Sequence, residues 1–198
     1  MNIPVAAAVK RKKIADAAAD LFESGGYHTT SMGDIAAAAG MGKATLYHYF
    51  RSKDEILFYI HEDFIDLLMF RHEARAARGL RGITELLDLM SDMLDLMQTH
   101  PGHVRVFFEN HRELPTEQRS KIRLKRNRYM NIVESTIRRG IEQGDVREVD
   151  VPLAALAVFG MCNWVYQWYR PAGPLRTRSI ARTFWELVME GLAPRGSL

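Results

Sequence analysis

The fold of this chain is decided near its N-terminus by the stretch TTSMGDIAAAAGMGKATLYHYFRSKDE, residues 29–55. Thr30 or Ser31 can cap a short helix over residues 32–39, because a side-chain oxygen satisfies backbone amides left free in the first turn. The next glycine ends that helix, and a further helix follows over about residues 43–49. The stretch therefore predicts two short helices joined by a tight glycine turn.

A first helix lies before this pair. Its apolar residues recur on one stripe, and Gly25–Gly26 end it because glycine adopts the left-handed backbone of a helix C-terminus. After the pair, Ser52 and Glu55 have the Ser-x-x-Glu form of a capping box, which predicts the start of a long helix over residues 52–78. The three short helices therefore form a domain over residues 1–51. The stripe of the first helix consists of Ile14, Ala17, Ala18, Leu21 and Phe22.

The rest of the chain also has a helical period, and no stretch of alternating β-branched residues between hairpin turns predicts a strand. We therefore expect an all-α protein of about nine helices, with a larger helical domain over residues 52–198. Glycine and proline supply the breaks, among them Gly79, Gly82 and Gly144. The predicted helices beyond the long one cover about residues 83–98, 103–113, 116–143, 151–169 and 178–191.

The composition is that of an ordinary globular protein. Of 198 residues, 47% are hydrophobic and 26% are charged, and the formal net charge of +3 is too small to predict a polyanionic partner. The basic residues nevertheless concentrate near the N-terminus, with Lys10–Lys13 in the first helix and Lys43, Arg51 and Lys53 in and after the helix pair. This distribution predicts a basic face of the kind that binds nucleic acid.

The single cysteine and the apolar segments exclude other classes of protein. Cys162 has no partner for an internal disulfide, and its apolar helical neighbours predict a buried, inert thiol. The longest apolar stretch, residues 151–162, is well short of the roughly 20 residues needed to cross a bilayer, and the N-terminus has no signal-peptide cleavage pattern. We expect a soluble cytoplasmic protein with no membrane partner.

The second helix of the pair has the residues expected of a helix that enters the DNA major groove. Its start is small, with Gly42 and Ala44, which allows close approach to a groove about 12 Å wide. Hydroxyl and imidazole donors follow, and basic side chains suited to phosphate oxygens flank them. The spacing alone leaves open a second interpretation, in which the helix pair is only a packing unit. The donors are Thr45, Tyr47 and His48, and the basic residues are Lys43 and Lys53.

Residues 29–36 and 39–55 closely resemble the TetR family of transcriptional regulators. The resemblance implies a homodimer that represses promoters, at a palindromic operator in double-stranded DNA, until a small-molecule effector binds the C-terminal domain. Many relatives have Ser where this chain has Gly42, so a side-chain cap and a polar contact are absent here. The implied DNA-binding residues are Thr30, Ser31, Gly42, Lys43, Thr45, Tyr47, His48 and, on a phosphate, Lys53.

Two further segments, residues 105–112 and 163–175, resemble a subset of TetR regulators that respond to acyl-CoA thioesters and repress fatty-acid, steroid or aromatic-acid degradation. The subset implies an acyl-CoA effector, whose polyanionic end needs basic groups and whose acyl end needs an apolar site. Methionine suits such a site because its unbranched side chain adapts to a ligand. The predicted ligand-binding residues are Met90, Met93, Met97, Phe107, Phe108, Asn110, His111, Arg126, Asn163, Trp164, Gln167 and Arg170.

These residues also have a plainer interpretation. The apolar ones have the spacing of an ordinary helical core, and the basic residues of segment 119–128 spread around a helix as a solvated face does. The aromatic residues of segment 164–169 are equally expected at a subunit interface. A lipophilic or cationic drug, as in the control of efflux, is the alternative effector.

Two C-terminal helices are expected to form the homodimer interface. The predicted helix over residues 151–169 is apolar nearly all round, which indicates burial on more than one side, and the helix over residues 178–191 has an apolar stripe. Pairing both helices with their copies across a two-fold axis gives a four-helix interface. The predicted interface residues are Phe159, Ile180, Phe184, Leu187 and Val188.

An enzymatic function has little support in the sequence. His100, His103, Glu109 and His111 are of types that bind zinc or iron, and they leave a helical metal-dependent enzyme as a remote alternative. Their spacing argues against a single site, because a helix brings together residues three or four apart. No phosphate-binding loop, dinucleotide fingerprint or nucleophile elbow is present. We therefore expect no catalytic activity, no metal and no cofactor.

Overall fold

The computed structural model describes residues 5–77 and 83–192, and every regular element in these two ranges is helical. The all-α prediction is confirmed. The helices of the described chain are α1 (Val5–Gly25), α2 (Met32–Ala38), α3 (Lys43–Tyr49), α4 (Lys53–Ala76), α5 (Thr84–Thr99), α6 (Pro101–Glu109), α7 (Thr116–Gln143), α8 (Val151–Trp164) and α9 (Thr177–Leu192), with 3₁₀ turns at His111–Glu113 and Val165–Gln167.

The predicted helix over residues 151–169 is too long. The helix α8 ends at Trp164, and the chain tightens into a 3₁₀ turn in which the amide of Trp168 donates to the carbonyl of Val165 at 3.1 Å. None of the described helices is long and apolar enough to cross a membrane.

The predicted helix over residues 103–113 is displaced towards the N-terminus. The observed α6 begins at Pro101, since a proline fits the first turn, where its missing N–H has no intrahelical acceptor. It ends at Glu109, and a separate 3₁₀ turn follows. The predicted break at Gly79 and Gly82 lies outside the described residues.

Contacts between residues divide the chain into two compact units. The first unit combines residues 1–64 with residues 102–123, and the second combines residues 65–101 with residues 124–198. The long helices α4 and α7 therefore each contribute to both units. The predicted division of the chain after residue 51 concerns DNA binding and ligand binding, and it stays a prediction.

In the first unit, α1, α2 and α3 pack on one another around a small apolar core. Ile14 of α1, Ile35 of α2 and Leu46 of α3 are fully buried. The ring of Phe22 is buried too and lies edge-on to Tyr27, with the ring centroids 5.0 Å apart. Burial of these apolar side chains stabilises α2 and α3, which have 7 residues each and are too short to persist alone.

Local hydrogen bonds define the starts of α2 and α4. The Ser31 hydroxyl accepts from the amide of Asp34 at 3.2 Å, and the Asp34 carboxylate accepts from the amide of Ser31 at 2.8 Å, which completes a capping box. Of the two predicted caps of α2, Ser31 is therefore the observed one. Before α4, the Ser52 hydroxyl accepts from the amide of Glu55 as predicted, while the Glu55 carboxylate accepts from the amide of Arg51.

Two glycines with positive φ end α1 and α2, as predicted. Gly26 has a φ of +91° and Gly40 a φ of +65°, a backbone region that side chains with a Cβ rarely adopt. After α2, the amide of Met41 donates to the carbonyl of Ala36 at 2.9 Å, and the amide of Gly40 donates to that of Ala37 at 3.0 Å. This pair of bonds is a Schellman motif, and it turns the chain directly into α3.

We predict that Gly26→Ala lowers the free energy of unfolding by about 1 kcal/mol, because alanine is strained at positive φ. The neighbouring Gly25→Ala is the matched control, since Gly25 has no positive φ and an added Cβ would meet only Thr29 Oγ1 at 3.9 Å. It should leave stability unchanged or slightly higher. Urea unfolding followed by circular dichroism measures both variants, and equal unfolding free energies would contradict the role of Gly26.

Candidate nucleic-acid interface

The helix α3 presents one polar face to solvent and one apolar face to the core. Leu46 is fully buried, as the sequence predicted, whereas Lys43, Thr45 and His48 are exposed. Tyr47 is 45% exposed, which is unusual for a large aromatic side chain in a short helix. The predicted hydrogen-bond donors of α3 are therefore available to a partner.

The C-terminal end of α3 is held by Arg11 of α1. Arg11 Nη1 donates to the carbonyl of Tyr49 at 2.8 Å, which satisfies one of the carbonyls that a helix end leaves without an intrahelical partner. The guanidinium carbon lies 4.1 Å from the ring centroid of Phe50 and 5.0 Å from that of Tyr59. The sequence analysis placed Arg11 in the basic face, and it missed this contact because 38 residues separate Arg11 from Tyr49.

The N-terminal end of α3 has no side-chain cap, as expected from glycine at this position. Gly42 is the N-cap residue, and a Cβ added there would meet only Thr45 Oγ1 at 3.9 Å. Gly42 is exposed, and so is Ala44. The small residues at this end leave the start of α3 open to close approach by a partner.

The remaining predicted DNA contacts already have partners inside the protein. Thr30 is buried and its hydroxyl donates to the carbonyl of Gly26 at 2.9 Å, and Ser31 caps α2. Lys53 Nζ donates to the carbonyl of Thr30 at 2.9 Å and to those of Tyr27 and His28. The DNA contacts of Thr30, Ser31 and Lys53 stay predictions, and Lys53 has an observed role in tying α4 to the loop before α2.

No cluster of three or more His, Cys, Asp or Glu side chains in the described chain could hold a metal ion. His103, one of the residues considered as a ligand, is buried and its Nε2 lies 2.9 Å from Asp16 Oδ1. Burial lowers the pKa of His103, although Asp16 acts in the opposite direction. Cys162 is buried as predicted, and burial raises the pKa of its thiol to about 12, which keeps it protonated and unreactive.

The predicted effector residues range from buried methionines to exposed polar and aromatic side chains. In the second unit, the three methionines of α5, Met90, Met93 and Met97, are buried. Asn163 is half-buried and Trp164 is 63% exposed. The remaining predicted residues of this unit are exposed, namely Arg126, Gln167 and Arg170. In the first unit, Phe107 is buried and stacks on Phe64 with ring centroids 4.3 Å apart, and Phe108, Asn110 and His111 are half-buried. Their part in ligand binding stays a prediction.

The predicted dimer residues differ in exposure. Leu187 of α9 is 56% exposed, and Phe184 and Val188 are half-buried. Ile180 is buried within the protomer, and the half-buried Phe159 lies edge-on to Tyr129, with ring centroids 6.0 Å apart. Of this set, Leu187 therefore has the most side-chain surface available for a second copy.

Of the exposed apolar residues of α8, sequence reasoning named Trp164 and missed two leucines. Leu153, Leu156 and Trp164 are all exposed, and their spacing places them on one face of the helix. The opposite side of α8 contributes the buried Ala155 and Val158 to the core of the second unit. The apolar character of α8 on nearly all sides indicated contacts beyond the core of the protomer. Periodicity alone cannot tell which side of such a helix is left exposed.

Two family models match this chain. The model described as "Bacterial regulatory proteins, tetR family" matches residues 14–60, which include α2 and α3. The model described as "Tetracyclin repressor-like, C-terminal domain" matches residues 82–192. The chain belongs to the TetR family of bacterial regulatory proteins. The resemblance found in residues 29–55 is confirmed.

Relatives of this TetR regulator match nearly its whole length. The HTH-type transcriptional repressor KstR2 of Rhodococcus jostii is 28% identical over 190 residues, covering 93% of this chain and 91% of the relative. The crystal structure of the TetR family regulator PfmR from Thermus thermophilus is similar with a TM-score of 0.83 and 36% identity, over 91% of this chain and 99% of that one. The crystal structure of AibR in complex with isovaleryl coenzyme A and operator DNA is similar with a TM-score of 0.79 and 30% identity, over 90% of this chain and 97% of that one.

This TetR regulator also contains two buried acids that the sequence analysis did not identify. Glu85 and Asp92 lie two turns apart on α5, and both are buried. Glu85 accepts a hydrogen bond from Arg139, and Asp92 accepts one from Arg75. A buried carboxylate needs such a partner because it has lost its hydration. The sequence could have indicated their burial, because Glu85 and Asp92 have the spacing of residues on one apolar stripe of α5.

Two lysines, Lys43 at the start of α3 and Lys53 at the start of α4, are expected to differ in their effect on stability. We predict that Lys53→Met lowers the free energy of unfolding by about 1–2 kcal/mol, because an ammonium group that donates to three carbonyls is lost. Lys43→Met should leave stability unchanged, since Lys43 is exposed.

The same two variants differ in DNA binding. Lys43→Met should reduce the slope of log affinity against log salt concentration by about one, as expected for one lost phosphate contact. Urea unfolding and salt-dependent fluorescence anisotropy with duplex DNA measure the two effects. A stability loss for Lys43→Met equal to that for Lys53→Met would contradict the assignment of roles.

Proposed function

We propose that this protein is a homodimeric TetR-type repressor that binds a palindromic operator through α3 and releases it when an acyl-CoA thioester binds. Residues 1–51 bind DNA, and residues 52–198 bind the effector and form the dimer. The regulated genes serve the breakdown of lipids or aromatic acids. The family membership of the chain supports the regulator class.

The exposed polar face of α3 carries the proposal. Thr45, Tyr47 and His48 offer donors to base edges, and Lys43 offers a charge to phosphate. An α-helix with its side chains is about 10–12 Å wide, which matches the major groove. Leu46 packs the opposite side of α3 into the core, and Arg11 holds its C-terminal end. The exposed polar face of α3 is therefore kept in one orientation.

A second copy of the chain is the proposed partner for the exposed apolar face of α8 and α9. Leu153, Leu156 and Trp164 on α8 are exposed together with Leu187 on α9, and these two helices contact each other. A cluster of exposed apolar side chains marks an interaction surface. Pairing of the same surface on two copies gives a two-fold dimer whose two α3 helices reach half-sites about 34–36 Å apart.

The acyl-CoA effector is supported by a relative and by the chain's own residues. AibR, which resembles this chain over 90% of its length, has been crystallised with isovaleryl coenzyme A and operator DNA. The second unit provides buried methionines on α5 for an acyl chain and exposed basic residues such as Arg126 for phosphates. Release requires that the effector bind the DNA-free conformation more tightly than the DNA-bound one.

A cationic drug, the alternative effector, fits the second unit less well. A buried cation needs an unpaired acid, and the buried acids of α5 already have cationic partners. Glu85 is paired with Arg139, and Asp92 is paired with Arg75 and Arg71. To reach Glu85 or Asp92, a cationic ligand would therefore have to displace an arginine from one of these pairs.

A gel mobility-shift experiment with DNA flanking the protein's own gene tests the proposal. We expect a retarded complex that acyl-CoA thioesters dissociate, whereas free fatty or aromatic acids and hydrophobic cations do not. If only hydrophobic cations dissociate the complex, the effector is a cationic drug and not an acyl-CoA thioester. Failure to retard any flanking DNA would overturn the proposed repressor.

For the operator contact, we predict that Tyr47→Ala weakens operator binding about 10-fold, because one base contact contributes on the order of 1–3 kcal/mol to discrimination. Binding to a random duplex of equal length should change little, since phosphate contacts dominate there. Fluorescence anisotropy at a single salt concentration measures both affinities. An equal loss on both duplexes would indicate that Tyr47 does not read sequence.

For the dimer, we predict that Leu187→Glu yields monomers at micromolar concentration, because the two-fold axis brings two desolvated carboxylates into one interface. Leu124→Glu is the matched control, since Leu124 lies on α7 outside the proposed interface and is 62% exposed. It should remain dimeric. Sedimentation velocity measures both variants, and a dimeric Leu187→Glu protein would count against this interface.

A further inference from the structure

Tyr129 of α7 carries a buried hydroxyl without a hydrogen-bond partner in the described part of the chain. The side chain is 3% exposed, and its ring lies edge-on to Phe159 of α8. Buried hydroxyl groups in native proteins nearly always have a hydrogen-bond partner, so the Tyr129 hydroxyl is a donor available to a ligand. All the residues in this argument belong to the second compact unit.

A cluster of charged side chains lies within electrostatic range of this hydroxyl. Asp92 of α5 and two arginines of α4, Arg71 and Arg75, each influence Tyr129. The Asp92 carboxylate accepts from Arg75 Nη2, and Arg71 Nη1 lies 3.4 Å from Asp92 Oδ1. Arg75 Nε is a second buried donor without a hydrogen-bond partner in the described residues. The Tyr129 hydroxyl therefore borders a cluster in which Arg75 Nε, although it makes no hydrogen bond, faces the carboxylate of Asp88 at 3.9 Å.

The charges of this cluster indicate which ligand group would fit. Arg75 lies 3.9 Å from a carboxylate oxygen of Asp88, and Arg71 lies 3.8 Å from one of Asp95, in addition to their contacts with Asp92. Two guanidinium groups therefore face three carboxylates, which leaves no positive charge to balance an anionic ligand group. An uncharged oxygen acceptor, such as a carbonyl, matches a neutral hydroxyl donor without adding a buried charge.

The hydroxyl stays a donor throughout the physiological pH range. Burial raises the pKa of Tyr129, and the negative charge of Asp92 raises it further. The same helix α5 that carries Asp92 also carries Met90 and Met93, two of the predicted contacts to an acyl chain. The second unit therefore contains both a buried hydroxyl donor and the apolar side chains that an acyl thioester would need.

We propose that the Tyr129 hydroxyl donates a hydrogen bond to the thioester carbonyl oxygen of the effector, and that this contact distinguishes the thioester from a ligand that lacks the carbonyl. The inference rests on the proposed acyl-CoA effector. It adds a residue and a specificity that neither the sequence motifs nor the family assignment provides.

The test compares two ligands on two proteins. Isothermal titration calorimetry measures binding of a hexanoyl-CoA thioester and of S-hexyl-CoA, a thioether that lacks only the carbonyl oxygen, to the wild-type dimer and to Tyr129→Phe. We expect wild type to prefer the thioester by about 3- to 10-fold, the range of one net hydrogen bond, and Tyr129→Phe to bind both ligands equally. The variant keeps the ring that packs on Phe159.

Thermal melting of the ligand-free proteins excludes a structural role for the hydroxyl. Because the hydroxyl has no partner to lose, Tyr129→Phe should melt at the wild-type temperature or above it. A markedly lower melting temperature would overturn the inference.

The failure of the inference and the failure of the proposed function are distinguishable. If Tyr129→Phe keeps the full thioester preference, Tyr129 is not the donor, while the acyl-CoA effector stands. If wild type binds neither this thioester nor shorter, longer or aromatic acyl-CoAs, the effector and the inference both fall.

Discussion

The contact of Arg11 with the end of α3 is the interaction on which the DNA-binding surface depends. A helix of 7 residues is not stable in water by itself, so its orientation must come from tertiary contacts. Leu46 buries the inner face of α3, and Arg11 closes its C-terminal end through the Tyr49 carbonyl and the Phe50 ring. Because these contacts use only the inner face and the end, the outer face keeps its polar side chains free for a partner.

The sequence predicted the helix pair well because its determinants are local. Ser31, Gly26 and Gly40 act on amides and carbonyls within a few residues, so their effect can be deduced from spacing. The bounds of α3 and α7 agree with the predicted ones for the same reason. The end of α8 was predicted too late, since its apolar character continues into the 3₁₀ turn and carries no signal for the change of hydrogen bonding.

The parts that could not be predicted depend on residues far apart in the chain. Lys53 was predicted to contact phosphate from its position after α3, and the hydrogen bonds of its ammonium group to the carbonyls of residues 27, 28 and 30 were not predicted. Tyr129 gave no signal at all, because a tyrosine in a polar helix has the pattern of an ordinary surface residue. Its burial and its orphaned hydroxyl follow only from the tertiary fold, in which its ring meets Phe159 of α8, and the exposed face of α8 likewise follows from the fold.

Hydroxyl-radical footprinting of the wild-type protein on DNA flanking its own gene tests most directly whether two copies of α3 read the duplex. We expect two symmetric protected segments, centred about 10–10.5 base pairs apart or a multiple of this, that disappear when an acyl-CoA is added. Protection that is absent, or that forms a single unsymmetric segment with and without acyl-CoA, would contradict paired reading by α3.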